Sequence, residues 1–310
     1  LRIPKMEGFK FIEIGGNLTD PVFVGSYRGK QAHPSDFEEM MKRADKVGVE
    51  KIIITVGSFE DFSDAVKLCK SYSGKLFMTC GIHPTRSLLI TGKDDKPKQE
   101  TIDTNIDKLR KLIVANREHI VAYGEMGLDF DRLHFAPKQA QLLAFDAQLK
   151  LAEELDLPLF LHSRAAESDF LRLLGKYKFP RKGVVHSFTG SAAERDAILK
   201  LGFDIGVNGC SLKTEENLRV VRDIPLDRLH LETDAPWCEI RPSHASYKYV
   251  KTRFPAKKKE KFVMGQLVKS RNEVCCIIQV AEVISGLLDI SMDVVTRTCF
   301  ENSDKMYFAP

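Results

Sequence analysis

Short apolar runs alternate along this chain with longer amphipathic segments. The runs are FKFIEI (9–14), KIIITVG (51–57), KLFMTCGI (75–82), IVAYGE (120–125), PLFLH (158–162), GVVHSF (183–188), FDIGV (203–207) and RLHLETD (228–234). Most are continuously apolar rather than alternating, the pattern of strands covered on both faces. Helices are expected between them. Ser35-Asp36-Phe37-Glu38 and Ser191-Ala192-Ala193-Glu194 read as capping boxes, with helices running to Gly48 and Gly202. Pro137 stands where a first-turn proline belongs, ahead of KQAQLLAFDAQLKLAEEL. Further helices are expected near 59–71, 101–117, 166–177, 214–222, 272–286 and 291–301. Eight strands, each followed by a helix, predict an α/β chain of the (β/α)8 TIM-barrel class, as a single domain over 1–310. The alternative is a doubly wound sheet. That fold would carry a Gly-rich phosphate loop after its first strand, and the GGNL found there is not GxGxxG.

Two stretches interrupt the alternation. ITGKDDKPKQET (90–101) reads as a polar loop. Residues 235–271 form a connection far longer than the usual 2–6 residues, and it follows strand eight on the face where barrel active sites lie. Residues 1–8 read as an N-terminal extension. Because residue 1 is Leu, Met6 is expected to be the natural start, with Leu1–Lys5 a remnant ahead of it.

Composition narrows the class without choosing the chemistry. The chain has 310 residues, 43% hydrophobic and 29% charged, as a globular protein with a sizeable core would. A net charge of +4 permits an anionic partner without requiring one. The seven cysteines (Cys69, Cys80, Cys210, Cys238, Cys275, Cys276 and Cys299) include no CxxC pair and read as reduced thiols. The chain start has no apolar signal-like region, and no run of about 18 apolar residues occurs. The expectation is a cytosolic or nuclear protein with no membrane contact and no obligate protein partner.

In a barrel, the last residues of the strands build the active site. Strand three ends in GIHP with His83, strand four in GEMGLDF with Glu125, and strand five in LHSR with His162. Strand six carries HSFTG with His186, and strand eight ends in ETDAP with Asp234. Each has an ordinary reading taken alone: a packed histidine, a helix-end charge for Glu125, a turn former for Asp234. Their convergence on strand ends favours chemistry. Two imidazoles and two carboxylates suit a divalent ion, which would make water acidic at neutral pH. Asp234 would then serve as ligand or general base. His33, His119, His134, His230 and His244 have no such placement.

At these residues the chain resembles the TatD family of metal-dependent deoxyribonucleases, particularly its eukaryotic branch. The motifs are GIHPT, GEMGLDFDR, LHSR, HSFTG, ETDAPWC and RNEVCC, and they run through nearly the whole chain. The resemblance implies a barrel of the metal-dependent hydrolase superfamily that cleaves DNA phosphodiester bonds. Glu125, His162, His186 and Asp234 would be metal ligands, with Glu125 or Asp234 as the base. His83, Arg132 and Arg164 would contact the substrate phosphate, for which the planar guanidinium fork is suited; surface salt bridging is the alternative for the two arginines.

Two departures stand out. Many superfamily members carry His-x-His after strand one, where Gly15 and Asn17 stand here, and Glu13 replaces the usual Asp. Val274 replaces the proline of an Arg-Asn-Glu-Pro motif, which should alter capping more than chemistry. One ion held by Glu125, His162 and His186 is therefore expected. A second would bind weakly or only with substrate phosphate. Mg²⁺ is the first expectation, with Mn²⁺ or Zn²⁺ as alternatives.

The expected activity is a metal-dependent DNase, trimming 3'-5' from an end. The alternatives are a hydrolase of an aminoacyl-tRNA ester or amide, since fold does not fix substrate, and a catalytically weakened DNA-binding scaffold. Lys257, Lys258, Lys259 and Lys261 could lean on a DNA backbone, or form a solvated loop. Trp237 or Phe188 could stack on a base, with packing as the alternative.

Overall fold

The computed structural model describes residues 8–94 and 96–309. The expected N-terminal extension thus lies, apart from Gly8, outside the described residues. The fold is a (β/α)8 barrel: eight parallel strands in one sheet, in chain order, with a helix after each. The strands are β1 (Phe11–Gly16), β2 (Val49–Ile54), β3 (Leu76–Cys80), β4 (Ile120–Asp129), β5 (Leu159–Arg164), β6 (Gly183–Val185), β7 (Asp204–Val207) and β8 (Leu229–Leu231). The helices include α1 (Phe37–Lys46), α2 (Phe59–Ser71), α3 (Leu88–Thr91), α4 (Gln99–Ala115), α5 (Lys138–Ala152), α6 (Glu167–Leu174), α7 (Ala192–Lys200), α8 (Glu215–Arg222), α9 (Ile277–Leu288) and α10 (Met292–Tyr307).

The chain folds as two compact units. One comprises the described residues up to Ile54 with Gly206–Lys305; the other comprises Thr55–Ile205 with the residues from Met306 on. In the first, β1 is buried along its whole length, as a run covered on both faces should be. α1 buries Phe37, Met40, Met41 and Ala44, the i, i+3, i+4, i+7 stripe of an amphipathic helix. The Ser35 capping box does not form. Asp36 is the N-cap residue and makes no side-chain cap bond. Its carboxylate is taken by Arg271 (2.6 and 2.7 Å) and Arg43 (3.3 Å), ion pairs inaccessible to water that outcompete a cap. Glu273 completes this quartet, at 2.7 Å from both Arg43 Nε and Arg271 Nη2. Two guanidinium groups and two carboxylates thus neutralise one another in the core. Val274 opens a short 3-10 turn, Val274–Cys276, that leads into α9.

The long connection after β8 is not structureless. It contains a 3-10 turn at Ala245–Tyr249 and a two-stranded pairing of Ala256–Lys257 with Leu267–Val268. A small hairpin of Ser26–Tyr27 and Lys30–Gln31, not visible in the apolar pattern, follows β1. Among the described residues no single helix is long and apolar enough to cross a membrane.

In the second unit, Ser191 caps α7 by accepting from Glu194 N–H. The Glu194 carboxylate turns to Ser163 Oγ at 2.7 Å instead of closing the box. A full capping box occurs in the first unit, at Thr214 and Asn217 of α8. Pro137 sits at the N-cap of α5 rather than inside its first turn. The difference in element bounds that matters for the site is at β4, expected to stop at Glu125 but running to Asp129. α10 is likewise longer than the 291–301 expected. Phe188 is 2% exposed, so it packs in the core and is withdrawn as a base-stacking candidate; Trp237, at 56%, remains exposed.

Candidate metal centre

The strand ends of the second unit deliver polar side chains to one cluster, each for a local reason. Gly124 and Gly127 flank Glu125 with φ of +143° and +150°, values that disfavour any side chain. A Cβ on Gly124 would collide with the Phe160 carbonyl, and one on Gly127 with the His162 carbonyl. These two glycines let β4 lie against β5. Between them the register slips: Gly124 faces Phe160 and Met126 faces Leu161, which leaves Glu125 as the extra residue. Such an irregularity re-aims a side chain, and Glu125 N–H bonds to Val56 O at 3.2 Å.

Three imidazoles meet the Glu125 carboxylate. Oε1 lies 2.6 Å from His186 Nε2, 3.0 Å from His162 Nδ1 and 3.5 Å from His83 Nε2. His186 follows β6 directly, its N–H bonded to Leu161 O at 2.9 Å and its ring stacked on Phe160. Burial alone would raise the Glu125 pKa. Where His83 and His186 are protonated their charges, with hydrogen bonds from His162 and His186, outweigh it and hold the carboxyl well below its ordinary value.

His83 caps the 3-10 turn Pro84–Arg86, with Nδ1 accepting from Thr85 N–H at 3.1 Å. That bond occupies the Nδ1 lone pair, so neutral His83 carries its proton on Nε2, pointing at the cluster. Burial pushes its pKa down to about 4, which keeps the ring neutral near pH 7. His83 is therefore arranged as a hydrogen-bond donor.

Asp129 joins a second grouping that the sequence reading did not include. Its Oδ2 lies 3.4 Å from His162 Nε2, 3.4 Å from Arg164 Nη1 and 3.7 Å from Arg132 Nε. Two sets of side chains bring ligand-type atoms close together, Glu125, His162 and His186, and His83, Asp129 and His162; with its Nδ1 occupied by Thr85 N–H, His83 adds a ring N–H to the second set rather than a lone pair. His162 Nε2 and Asp129 Oδ1 are buried without a hydrogen-bond partner. Orphaned buried donors and acceptors of this kind are costly unless something else satisfies them. Oxygen and imidazole nitrogen are also the donor set a divalent ion takes. The residues fit the group. The signal for Asp129 was in the sequence: in GEMGLDF it stands four residues after Glu125, on the same side of an extended strand.

Two buried glutamines of α5 fix the loops that carry the cluster. Gln141 accepts from Asp129 N–H at 2.8 Å and donates to Asp129 O at 2.9 Å. Gln148 makes the same pair of bonds to Ile82, at 2.8 and 3.1 Å, one residue before His83. They are seven residues apart and share one helix face.

Asp234 belongs to the first unit. It follows β8 with φ of +52°. Asn17 Nδ2 donates to its Oδ1 at 2.9 Å, and Cys238 Sγ donates to its Oδ2 at 3.3 Å. Asn17 N–H also bonds to Ala235 O at 2.8 Å. Glu13 Oε1 accepts from Gly15 N–H at 2.9 Å and Thr233 N–H at 3.0 Å, which ties β1 to the segment after β8. Asn272 Nδ2 donates to Thr233 O at 3.0 Å. Asn17, in the place of a missing histidine, is thus a donor to Asp234. The remaining histidines lie elsewhere: His230 is buried against Ser303, and His33 stacks on Phe262.

A parallel barrel with imidazoles and carboxylates clustered at its strand ends defines a barrel hydrolase. The sequence model of the TatD related DNase family matches residues 28–308, and the chain belongs to that family. Deoxyribonuclease Tat-D of Schizosaccharomyces pombe is 46% identical over 304 residues, 96% of each chain. The 3'-5' ssDNA/RNA exonuclease TatD of Erwinia billingiae is 33% identical, covering 96% of this chain and 99% of its own. The crystal structure of a TatD family hydrolase from Entamoeba histolytica superposes with a TM-score of 0.89 at 37% identity, over 97% of this chain and 99% of that one.

Proposed function

We propose that this chain is a divalent-metal-dependent deoxyribonuclease that removes nucleotides from a 3' end. The observation that carries the reading is the buried Glu125 carboxylate with three imidazoles within 3.5 Å. The substrate class comes from the relatives, named as deoxyribonucleases and, among bacterial ones, as 3'-5' exonucleases on single-stranded DNA and RNA.

Glu125, His162 and His186 would hold the ion, and Asp129 with His162 would offer a second, looser position. When bound, a divalent ion supplies Lewis acidity to a phosphoryl oxygen and acidifies water. The chain's own groups supply the rest. Neutral His83 donates from Nε2 to a phosphate oxygen. Arg164 and Arg132, steadied by Asp129, present guanidinium donors to the same group, stabilising charge that grows at the transition state. Asp234, held by neutral donors on both oxygens, is proposed as a ligand or as the acceptor of the water's proton.

End-labelled single- and double-stranded DNA, digested across Mg²⁺, Mn²⁺ and Zn²⁺ beside a panel of esters and amides, tests the assignment. A ladder of products shortened from the 3' end, abolished by chelator, is expected. Turnover of the panel with intact DNA would reassign the substrate.

A further inference from the structure

Cys210 and Cys238 stand apart from the other cysteines. Both are thiols, both are partly exposed, and their Sγ atoms are 2.6 Å apart. A disulfide bond is about 2.05 Å. Cys69, Cys80, Cys275, Cys276 and Cys299 are buried, out of reach of a dissolved oxidant.

The approach is built into the backbone. Cys210 follows Gly209, and a Cβ on Gly209 would collide with the Cys238 carbonyl, so glycine alone lets the two loops close to this distance. Cys210 N–H is fixed on Asn208 Oδ1 at 2.9 Å, and Cys238 sits in a left-handed conformation with φ of +54°. The Cys238 thiol donates to Asp234 Oδ2 at 3.3 Å. Oxidising the pair would therefore act on the carboxylate to which the proposed function gives a role.

We propose that Cys210 and Cys238 are a reversible oxidation site, closed to a disulfide by exchange with a low-molecular-weight disulfide such as oxidised glutathione. Because the Cys238 proton is directed to Asp234, Cys210 is the attacking sulfur. Its thiolate attacks one sulfur of the small disulfide, breaking that bond and releasing one small thiol, which takes the proton Cys210 has lost. Cys238 then gives up its proton and attacks the Cys210 sulfur, releasing the second small thiol. The protein loses two electrons and two protons, and the small disulfide gains them. In the disulfide, Cys238 no longer has a proton to donate, and Asp234 loses the Cys238 thiol as a donor.

The effect on catalysis rests on Asp234 acting as proposed; the thiol chemistry does not. The test oxidises the full-length protein with glutathione disulfide, blocks remaining thiols and maps the peptides by mass spectrometry. A Cys210–Cys238 cross-link is expected, reversed by dithiothreitol and absent in Cys210→Ser. DNA cleavage should fall on the order of tenfold, the scale of one hydrogen bond to a charged group, and return on reduction. Cys210→Ser should cleave like the reduced protein and ignore the oxidant. Failure to form the cross-link, or a persistent glutathione adduct on either cysteine, overturns the site. A cross-linked protein that cleaves DNA at the undiminished rate overturns its coupling to Asp234. The peptide map needs no nuclease activity, so a wrong substrate assignment cannot be mistaken for either result.

Discussion

At the scale of single residues, Asn17 and Glu13 after and within β1 act through hydrogen bonds. Asn17 donates to Asp234 Oδ1, and Glu13 gathers the N–H groups of Gly15 and Thr233. Asn17→Ala should leave folding intact and lower kcat roughly tenfold with little change in KM, since it removes one bond to a charged group rather than a substrate contact. Steady-state cleavage of a labelled oligonucleotide reads this, and an unchanged kcat would remove Asn17 from the account. Glu13 makes a prediction about pH. Burial, partly offset by hydrogen bonds from Thr233 and Gly15, raises its pKa from 4.5 to about 8. Between those values the folded state holds a proton that the unfolded chain has lost, so this group's contribution falls as pH rises through the window. Glu13→Gln keeps the acceptor oxygen and removes the titration. Denaturant midpoints across that range should fall more steeply with pH in the wild type than in the variant; parallel curves would show that Glu13 ionises normally.

At the scale of elements, the barrel was legible because its strands are covered on both faces and so read as continuous apolar runs. Glu125, His162, His186 and His83 were legible because strand ends carry a barrel's chemistry. Asp129 was lost with the end of β4. Gly124 and Gly127 are what allows β4 to continue beside β5. The glutamine clamps were invisible for another reason: Gln141 and Gln148 stand in a stretch whose pattern gives only a helix, and their partners are backbone atoms of other elements, 12 and 66 residues away. Gln141→Leu should orphan the buried Asp129 N–H and C=O at a cost of about 1–3 kcal/mol each. The expected result is a lower melting temperature and weaker metal binding together; loss of stability with metal affinity intact would confine Gln141 to a structural role. The ion quartet was hidden likewise, because Ser35-Asp36-Phe37-Glu38 has the pattern of a capping box. Glu273→Gln leaves two buried guanidiniums facing one carboxylate. It should destabilise the protein by about 3–5 kcal/mol in chemical denaturation, and a change within 1 kcal/mol would mean the quartet is solvated or replaceable.

At the scale of the whole molecule, family membership fixes the kind of enzyme, and the cluster around Glu125 carries the claim about how it works. That claim is one ion held by Glu125, His162 and His186, with a second position too weak to fill without substrate. Calorimetric titration of Mn²⁺ into chelator-stripped protein tests it most directly, with Glu125→Ala, checked for its fold by circular dichroism, as the comparison. One tight site is expected in the wild type and none in the variant. Equal binding by the two proteins, or two tight ions in the wild type, would contradict it.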